Sequence, residues 1–233
     1  MLIQFAGLTV DMQTRYGYTD AMCEKYRAPE GAIPDFSVSC TDEEILQEQP
    51  AGMDYPIAYL ESLAIYRKIS REALAYQTFL FHGSVLEMDG EGYLFTAPSG
   101  TGKSTHARLW REVFGDRVTM INDDKPFLTV KKDGLYASGT PWDGKHRLST
   151  NKTVKLRAIC FLERGEHNRI RPLTRGESYG KLLIQTNRPK DPVGMQATLL
   201  LLDRAAERMS FWQMSCNMDP EAATVAYQAM KGK

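Results

Sequence analysis

The sequence predicts an α/β fold with a mixed, strand-rich sheet and flanking helices. Short segments with strand-like alternation are interspersed with stretches in which apolar residues recur at helical spacing. The 233 residues are 42% hydrophobic and 25% charged, which is ordinary globular composition and excludes general disorder. No internal repeat or linker-like stretch divides the chain. We therefore expect one domain over residues 1–233, with a strand-rich N-terminal portion, residues 1–55, packed on it.

The first half of the chain is predicted to consist mostly of strands, with two helices. Strand-like segments occupy residues 2–10, 36–40, 78–88 and 92–97. Between the last two segments, Asp89-Gly90 is a hairpin turn signal. Apolar residues at helical spacing predict a helix over 56–76. A second helix is predicted over roughly 102–114, and it ends at Gly115, which suits a C-terminal cap.

The second half begins with further strands and then becomes helical. The additional strand-like segments occupy residues 117–122, 127–130, 135–137 and 156–162. Helices are predicted over residues 177–186, 193–208 and 219–231. Asp219-Pro220 supplies an N-cap and a first-position proline for the last helix. Phe211, Trp212 and Met214, at helical spacing, are expected in the core rather than in a binding site.

Charge and cysteine content exclude several classes of function. The 29 basic side chains balance 29 acidic ones, so neither a basic nucleic-acid-binding surface nor a polybasic membrane anchor is predicted. The four cysteines have no CxxC or paired Cys/His spacing, which is typical of a reducing cytoplasm and argues against a zinc site or a disulfide framework. No apolar run approaches the ~20 residues of a transmembrane helix, and the N-terminus lacks a secretory signal pattern. We therefore expect a cytoplasmic protein that binds neither nucleic acid nor membrane.

The sharpest feature is a glycine-containing loop between a predicted strand and a predicted helix. Its residues are Ala97, Pro98, Ser99, Gly100, Thr101, Gly102, Lys103, Ser104 and Thr105. Glycines let successive backbone N–H groups turn toward an anion, and the helix N-terminus adds its dipole, so the pattern predicts a phosphate-binding loop. Lys103 would supply an ammonium for the β and γ phosphates, and Ser104 a hydroxyl for Mg²⁺. The strict pattern has glycine at the first position, where this chain has Ala97. The competing interpretation is a glycine-rich turn that merely precedes a helix.

A second feature is Asn122-Asp123-Asp124, about twenty residues after Lys103. That interval has room for one helix and one strand, so the aspartates are predicted at the end of the next strand, beside the phosphate loop. One carboxylate there would ligate Mg²⁺, and the other would accept the proton of an attacking hydroxyl. The competing interpretation is an exposed acidic turn, and it is favoured unless the pair lies beside the phosphate loop.

These residues resemble motifs of known phosphotransferases. The segment Ser99-Gly100-Thr101-Gly102-Lys103-Ser104 resembles the kinase-1 motif of phosphoenolpyruvate carboxykinases, and Asp123-Asp124 looks like their kinase-2 motif. The chain length, and His82-Gly83 ahead of the loop, look more like the catalytic domain of HPr kinase/phosphorylase. The resemblance is strongest over residues 79–130. The remainder looks like small stand-alone HPr-kinase-like proteins that are often found with peptide-modification genes.

The resemblance implies a carboxykinase-like P-loop fold, ATP with Mg²⁺ as cofactors, and transfer of the γ-phosphoryl group to a hydroxyl. By similarity, Asp124 or its neighbour Asp123 is the base, and His82 assists near the phosphates or the acceptor. The resulting assignment makes Asp124, Asp123, Lys103 and His82 catalytic, the loop from Ser99 to Thr105 nucleotide-binding, and Ser104 with Asp123 the metal ligands.

Other polar residues are weaker candidates. Residues 140–147 combine a turn with Lys145, His146 and Arg147. This loop either closes over the phosphates, holds an anionic acceptor, or is an ordinary turn above Trp142. An arginine against the developing charge would assist transfer, and the sequence does not select among Arg147, Arg171, Arg175 and Arg188. His106 is expected to be a surface or packing residue, and residues 163–169 a solvated turn.

We therefore expect an ATP-dependent kinase that acts on a Ser/Thr-type hydroxyl of a protein or peptide. A kinase for a small metabolite (a sugar, polyol or amino acid) fits the same motifs. A nucleotide-sensing protein without transfer activity is a third hypothesis, and the Asp123-Asp124 pair argues against it. The sequence leaves the acceptor, the nucleotide preference and homo-oligomerisation open.

Overall fold

The computed structural model describes residues 1–232 and confirms the mixed α/β class. Its strands are β1 (Leu2–Phe5), β2 (Leu8–Gln13), β3 (Phe36–Ser39), β4 (Thr78–Leu80), β5 (Ser84–Met88), β6 (Glu91–Thr96), β7 (Val118–Asn122), β8 (Phe127–Lys131), β9 (Gly134–Ser138), β10 (Thr153–Arg164), β11 (Arg169–Leu173) and β12 (Ser210–Cys216). Its α-helices are α1 (Gly17–Cys23), α2 (Asp42–Leu46), α3 (Ile57–Glu72), α4 (Lys103–Phe114), α5 (Arg175–Gln185), α6 (Pro192–Arg208) and α7 (Glu221–Met230). Short 3-10 turns follow α1, α3 and α4.

The strands form two sheets. The N-terminal sheet has three strands in the order β1-β2-β3. The larger sheet has nine strands, with the order β4-β8-β9-β10-β6-β5-β7, and β12 joins β10 while β11 joins β12. The long strand β10 connects the two halves of this sheet because its first residues pair with β9 and its later ones with β6 and β12.

Strand directions bring two chain segments to one edge of the large sheet. Both β6 and β7 are antiparallel to β5, which lies between them, so β6 and β7 run in the same direction. Their carboxyl ends therefore lie at the same edge of the sheet, and the amino end of β5 lies between them. The loop after β6, the residues after β7 and the residues before β5 consequently meet at this edge.

Helix α4 is held on the sheet by an aromatic cluster. Trp110 is fully buried, and its ring centroid lies 5.2 Å from that of Phe95 in β6 and 5.9 Å from that of Tyr227 in α7. Buried alanines of α7 complete this apolar layer. On the opposite side, α5 and α6 pack with residues of β8, β9 and β10 in a second apolar cluster. Because apolar clusters cover both faces of the large sheet, the start of α4 is fixed relative to β6.

The N-terminal sheet packs on the rest of the chain through aromatic contacts. The Phe5 ring centroid lies 5.3 Å from that of Phe127 and 6.5 Å from that of Trp142. The Trp142 indole donates a hydrogen bond to the Ser62 carbonyl oxygen, 3.1 Å away, in α3. Trp142 therefore fastens the loop between β9 and β10 to the N-terminal part of the chain.

Two predicted strands are each interrupted. Residues 2–10 form a hairpin rather than one strand, because Ala6 and Gly7 adopt φ of 55° and 76° and turn the chain. Residues 78–88 contain β4 and β5 with a break between them. At that break, the backbone N–H groups of Phe81 and His82 donate to carbonyl oxygens outside the strand ladder.

The helical spacing predicted for the residues around Phe211 was wrong, because they form a strand. Phe211, Trp212 and Met214 belong to β12, which pairs in parallel with β10, although Phe211 and Met214 are buried as expected. Helix α1 and strand β11 were not predicted. The predicted helix boundaries of α4, α6 and α7 agree with the structure to within two residues.

Within residues 1–232, no helix combines the length and apolar character needed to cross a bilayer.

Candidate functional site

The loop from Ala97 to Gly102 connects β6 to the first turn of α4. Gly100 and Gly102 adopt φ of 79° and 124°, a region that disfavours residues with a Cβ atom. No atom of the described residues 1–232 lies within 4 Å of a Cβ built at either position, so the backbone angle rather than crowding requires glycine. Ala97 is buried in the apolar layer under α4 and has no positive φ. The departure from glycine at this position therefore introduces no backbone strain.

Lys103 opens α4 and turns its side chain back across the loop. Its ammonium donates a hydrogen bond to the Ala97 carbonyl oxygen at 3.0 Å, and only 8% of the residue is exposed. Burial lowers the pKa of Lys103, while the nearby Asp124 carboxylate acts in the opposite direction. The side chain thus spans the loop as a partly desolvated cation, which favours an interaction with an incoming anion.

Asp123 follows β7 and lies across from the start of α4. It is 7% exposed, and the Ser84 hydroxyl at the start of β5 donates to its Oδ1 at 2.8 Å. Burial raises the pKa of this carboxyl, and hydrogen bonds from the Ser84 and Ser104 hydroxyls oppose that increase. A neighbouring cation would therefore stabilise the ionised carboxylate.

Asp124 is positioned by a tight turn that Asn122 holds in place. The Asn122 Oδ1 accepts hydrogen bonds from the backbone N–H groups of Asp124 and Lys125, at 2.9 and 2.7 Å. The Asn122 Nδ2 donates to the carbonyl and hydroxyl oxygens of Thr140, both at 3.2 Å. Asn122 is fully buried, and the turn that it holds leaves the Asp124 side chain 36% exposed at the cavity.

His82 lies between Asp124 and the end of α5. Its Nε2 is 3.4 Å from the Asp124 Oδ1, and its Nδ1 donates a hydrogen bond to the Gln185 Oε1 at 2.9 Å. Burial lowers the pKa of His82, and the charges of Lys125 and Lys103 lower it further. The neutral ring is therefore favoured, with a proton on Nδ1 that is shared with Gln185 and none on the Nε2 that faces Asp124.

These side chains surround one cavity of about 520 Å³. The predicted site residues that line it are His82, Ser99, Gly100, Gly102, Lys103, Ser104, Thr105, Asp123 and Asp124. Thr101 is the exception, since it lines a neighbouring cavity on the other side of the loop. Strand direction explains the convergence, because the carboxyl ends of β6 and β7 share an edge of the sheet.

The loop between β9 and β10 also reaches this cavity. Lys145 and His146 line it, and Gly144 lies so close that a Cβ there would be 3.5 Å from the Asp124 Cβ. The buried Asp143 carboxylate accepts the Ser149 backbone N–H at 2.9 Å and closes the loop. Arg147 is exposed. It is not among the described residues that line the cavity. Two of the three predicted cations therefore face the site.

The structure does not bring the other predicted arginines to this cavity. Arg171 pairs with Glu177 at 2.9 Å and Arg175 with Glu207 at 3.4 Å, both at exposed positions, while Arg188 lines a separate groove beside α3.

Sequence reasoning missed two arginines of α4 itself. Arg108 and Arg111 line an adjoining cavity of about 450 Å³ together with Ser104 and Asp123. The two arginines are three residues apart on the helix that follows the loop, so the sequence alone predicts that they share one face of this helix. Ser84 and Gln185 were also missed, and no local pattern marks either of them.

A family model described as SynChlorMet cassette protein ScmC matches residues 51–219. The chain belongs to the ScmC family. The matched range contains the glycine loop, both aspartates, His82 and Gln185, whereas the N-terminal sheet lies before it. No curated protein matches this ScmC-family chain.

Among solved structures, the HPr(Ser) kinase/phosphatase from Coxiella burnetii matches with a TM-score of 0.38 and 12% identity. The match covers 66% of the ScmC-family chain and 99% of the other chain. A likeness at this level carries no argument about the fold or the activity of the ScmC-family chain.

Proposed function

We propose that this ScmC-family chain is an ATP- and Mg²⁺-dependent phosphotransferase, with a carboxykinase-like P-loop fold, that transfers the γ-phosphoryl group to a hydroxyl of a protein or peptide. The observation that supports this most strongly is the juxtaposition of the glycine loop with Lys103, Asp123, Asp124 and His82 around one cavity. An exposed acidic turn unrelated to the loop would not produce this arrangement. Phosphoryl transfer needs mainly positioning and charge stabilisation, and these groups supply both.

The glycine loop and the start of α4 would hold the phosphates. The backbone N–H groups of a helix N-terminus, together with its dipole, favour an anion at this place. Lys103 would exchange its hydrogen bond to the Ala97 carbonyl for phosphate oxygens, which is a small movement for a side chain that already crosses the loop. Lys145 and His146 would approach the same phosphates from the opposite wall.

The donor set beside the loop fits Mg²⁺. This hard cation takes oxygen ligands, usually one or two carboxylates together with substrate phosphates and water. The Asp123 carboxylate and the Ser104 hydroxyl are such oxygens, and a cation beside Asp123 would offset the effect of burial on its pKa. When bound, Mg²⁺ would neutralise the charge that develops on the transferred group.

Asp124 would act as the base. As the acceptor oxygen forms its bond to the γ-phosphorus and the bond to the β-γ bridging oxygen breaks, the hydroxyl proton would pass to the Asp124 carboxylate. Once Asp124 carries that proton, it would donate a hydrogen bond to the unprotonated Nε2 of His82, and Gln185 would hold the His82 ring in place. The acceptor class rests on the resemblance of the motifs to HPr kinase/phosphorylase.

The test uses γ-labelled ATP, Mg²⁺ and a heat-treated lysate of the source organism, separated into macromolecules and small solutes. We expect label in a protein or peptide fraction with the native chain and none with Asp124→Asn. A matched control is Asp116→Asn, because Asp116 is an exposed aspartate at the far end of α4. This control should transfer label as the native chain does.

The other outcomes separate the alternatives. Label in the small-solute fraction, lost in Asp124→Asn, would replace the protein acceptor by a metabolite and leave the site assignment intact. Thermal stabilisation by Mg·ATP without label in either fraction, also with purified candidate acceptors, would contradict transfer and favour a nucleotide sensor. An active Asp124→Asn variant would exclude Asp124 as the base.

A further inference from the structure

The glycine loop has a second cavity on its other side. It encloses about 520 Å³, within the usual range for small-molecule sites. It is lined by Gly100, Thr101, Gly102, Thr105, His106, Arg164, Gly165, Cys216, Asn217 and Met218. Three of these residues, Gly100, Gly102 and Thr105, also line the cavity that holds the two aspartates. A single ligand lying along the loop would therefore extend from one cavity into the other.

The two cavities differ in chemical character. The first holds Lys103, Asp123 and Asp124, whereas Arg164 is the one charged residue among the described residues that line the second. Its rim carries Met218, which is 75% exposed although its side chain is large and apolar. Apolar walls with a few fixed polar groups are typical of sites for flat organic rings, not for phosphates.

His106 contributes a buried donor that has no partner. The Trp110 indole N–H donates to the His106 Nε2 at 3.1 Å, and because indole is a donor only, Nε2 carries no proton. With Nε2 occupied as an acceptor, the neutral ring carries its proton on Nδ1. That Nδ1 is buried without a hydrogen-bond partner in the described chain. An acceptor atom at the inner wall of this cavity would satisfy it.

Hydrogen bonds hold both walls of the cavity in place. The Arg164 guanidinium donates to the carbonyl oxygens of Gly100, at 2.7 Å, and Thr101, at 3.4 Å, so the turn after β10 is attached to the loop. The Asn217 Nδ2 donates to the Glu166 carbonyl at 3.1 Å and to a carboxylate oxygen of Asp219 at 2.7 Å. The opposing wall is thus fixed, and little ordering is needed before a ligand binds.

We propose that this second cavity binds the nucleoside part of the triphosphate whose phosphates lie on the glycine loop. The inference rests on the proposed function. The γ-phosphoryl group must face Asp124, so the nucleoside end leaves the loop on the opposite side, where the second cavity lies. Met218 covers a face of the base, and the His106 Nδ1 donates to an acceptor atom of the base or the ribose.

The test compares the binding of ATP and inorganic tripolyphosphate, each with Mg²⁺, by titration calorimetry. We expect the native chain to bind ATP at least about tenfold more tightly than tripolyphosphate, because the nucleoside adds contacts. Met218→Ala should weaken ATP binding by about tenfold, with tripolyphosphate binding unchanged. Leu200→Ala is the matched control, since Leu200 is an exposed apolar residue of α6 that lines neither cavity. It should change neither affinity.

A second measurement needs no substitution. Cys216 lines the cavity and is half-buried, whereas the other three cysteines are buried. Its alkylation by N-ethylmaleimide, located by peptide mass spectrometry, should be slowed by ATP but not by tripolyphosphate. Equal affinity for the two probes, with equal Cys216 alkylation, would overturn the nucleoside site and leave the phosphate site in place. Failure of both probes to bind would instead overturn the proposed function together with this inference.

Discussion

The neutral state of His106 makes the stability of the protein depend on pH in a calculable way. The ring is 2% exposed, lies 4.5 Å from the Phe95 ring by centroids, and accepts a hydrogen bond from Trp110. Burial lowers its pKa from 6.5 to about 4. Between these values the unfolded chain binds a proton that the folded chain does not, so the free energy of unfolding decreases as the pH falls.

The magnitude follows from the two pKa values. Above 6.5 the ring is neutral in both states, and its titration contributes nothing to the pH dependence. At about pH 5 the unfolded ring is protonated and the folded ring is not, which lowers the free energy of unfolding by about 2 kcal/mol. Below the folded pKa of about 4 the loss levels off at about 3 kcal/mol. Either figure is a sizeable fraction of the stability of an ordinary domain.

His106→Gln removes this titration and keeps an acceptor near the position of Nε2 for the Trp110 indole. Urea unfolding of both proteins, followed by tryptophan fluorescence, should be compared at about pH 7.5 and about pH 5. The native chain should lose about 2 kcal/mol more than the variant between the two pH values. Other titrating groups contribute equally to both proteins and cancel in the comparison.

His167→Gln serves as the control, because His167 is an exposed histidine on the turn between β10 and β11. This variant should retain the full pH dependence of the native chain. If His106→Gln loses as much stability as the native chain on acidification, His106 is not a buried neutral ring. The Nδ1 donor proposed for the second cavity would then be lost as well.

Three further predictions concern the proposed phosphotransfer site. Lys103→Ala should weaken Mg·ATP binding by about tenfold or more, measured by calorimetry, because it removes the charge-assisted contacts of the loop. Asp124→Asn should bind Mg·ATP as the native chain does but transfer label about 10² to 10⁴-fold more slowly, measured in single-turnover assays. Because burial raises the pKa of Asp123, Mg²⁺ affinity in the presence of ADP should increase with pH above the ordinary carboxyl range and then level off. A pH-independent Mg²⁺ affinity would exclude Asp123 as a ligand.

Local sequence determined the glycine loop and its surroundings. The strand before the loop, the positive φ of Gly100 and Gly102, and the helix that begins at Lys103 all follow from residues within one short segment. The same holds for the turn at Asp89-Gly90, which joins β5 to β6 as predicted. Backbone sterics and capping act over a few residues, so a pattern in the sequence is sufficient to reveal them.

Tertiary structure alone decided which side chains His82 meets. His82 reaches Asp124 because β5 lies between β6 and β7, and it reaches Gln185 because the end of α5 returns to the same edge of the sheet. The placement of β12 beside β10 was decided in the same way. These features depend on pairing and burial between segments far apart in the chain, and such long-range contacts leave no local periodicity from which they can be predicted.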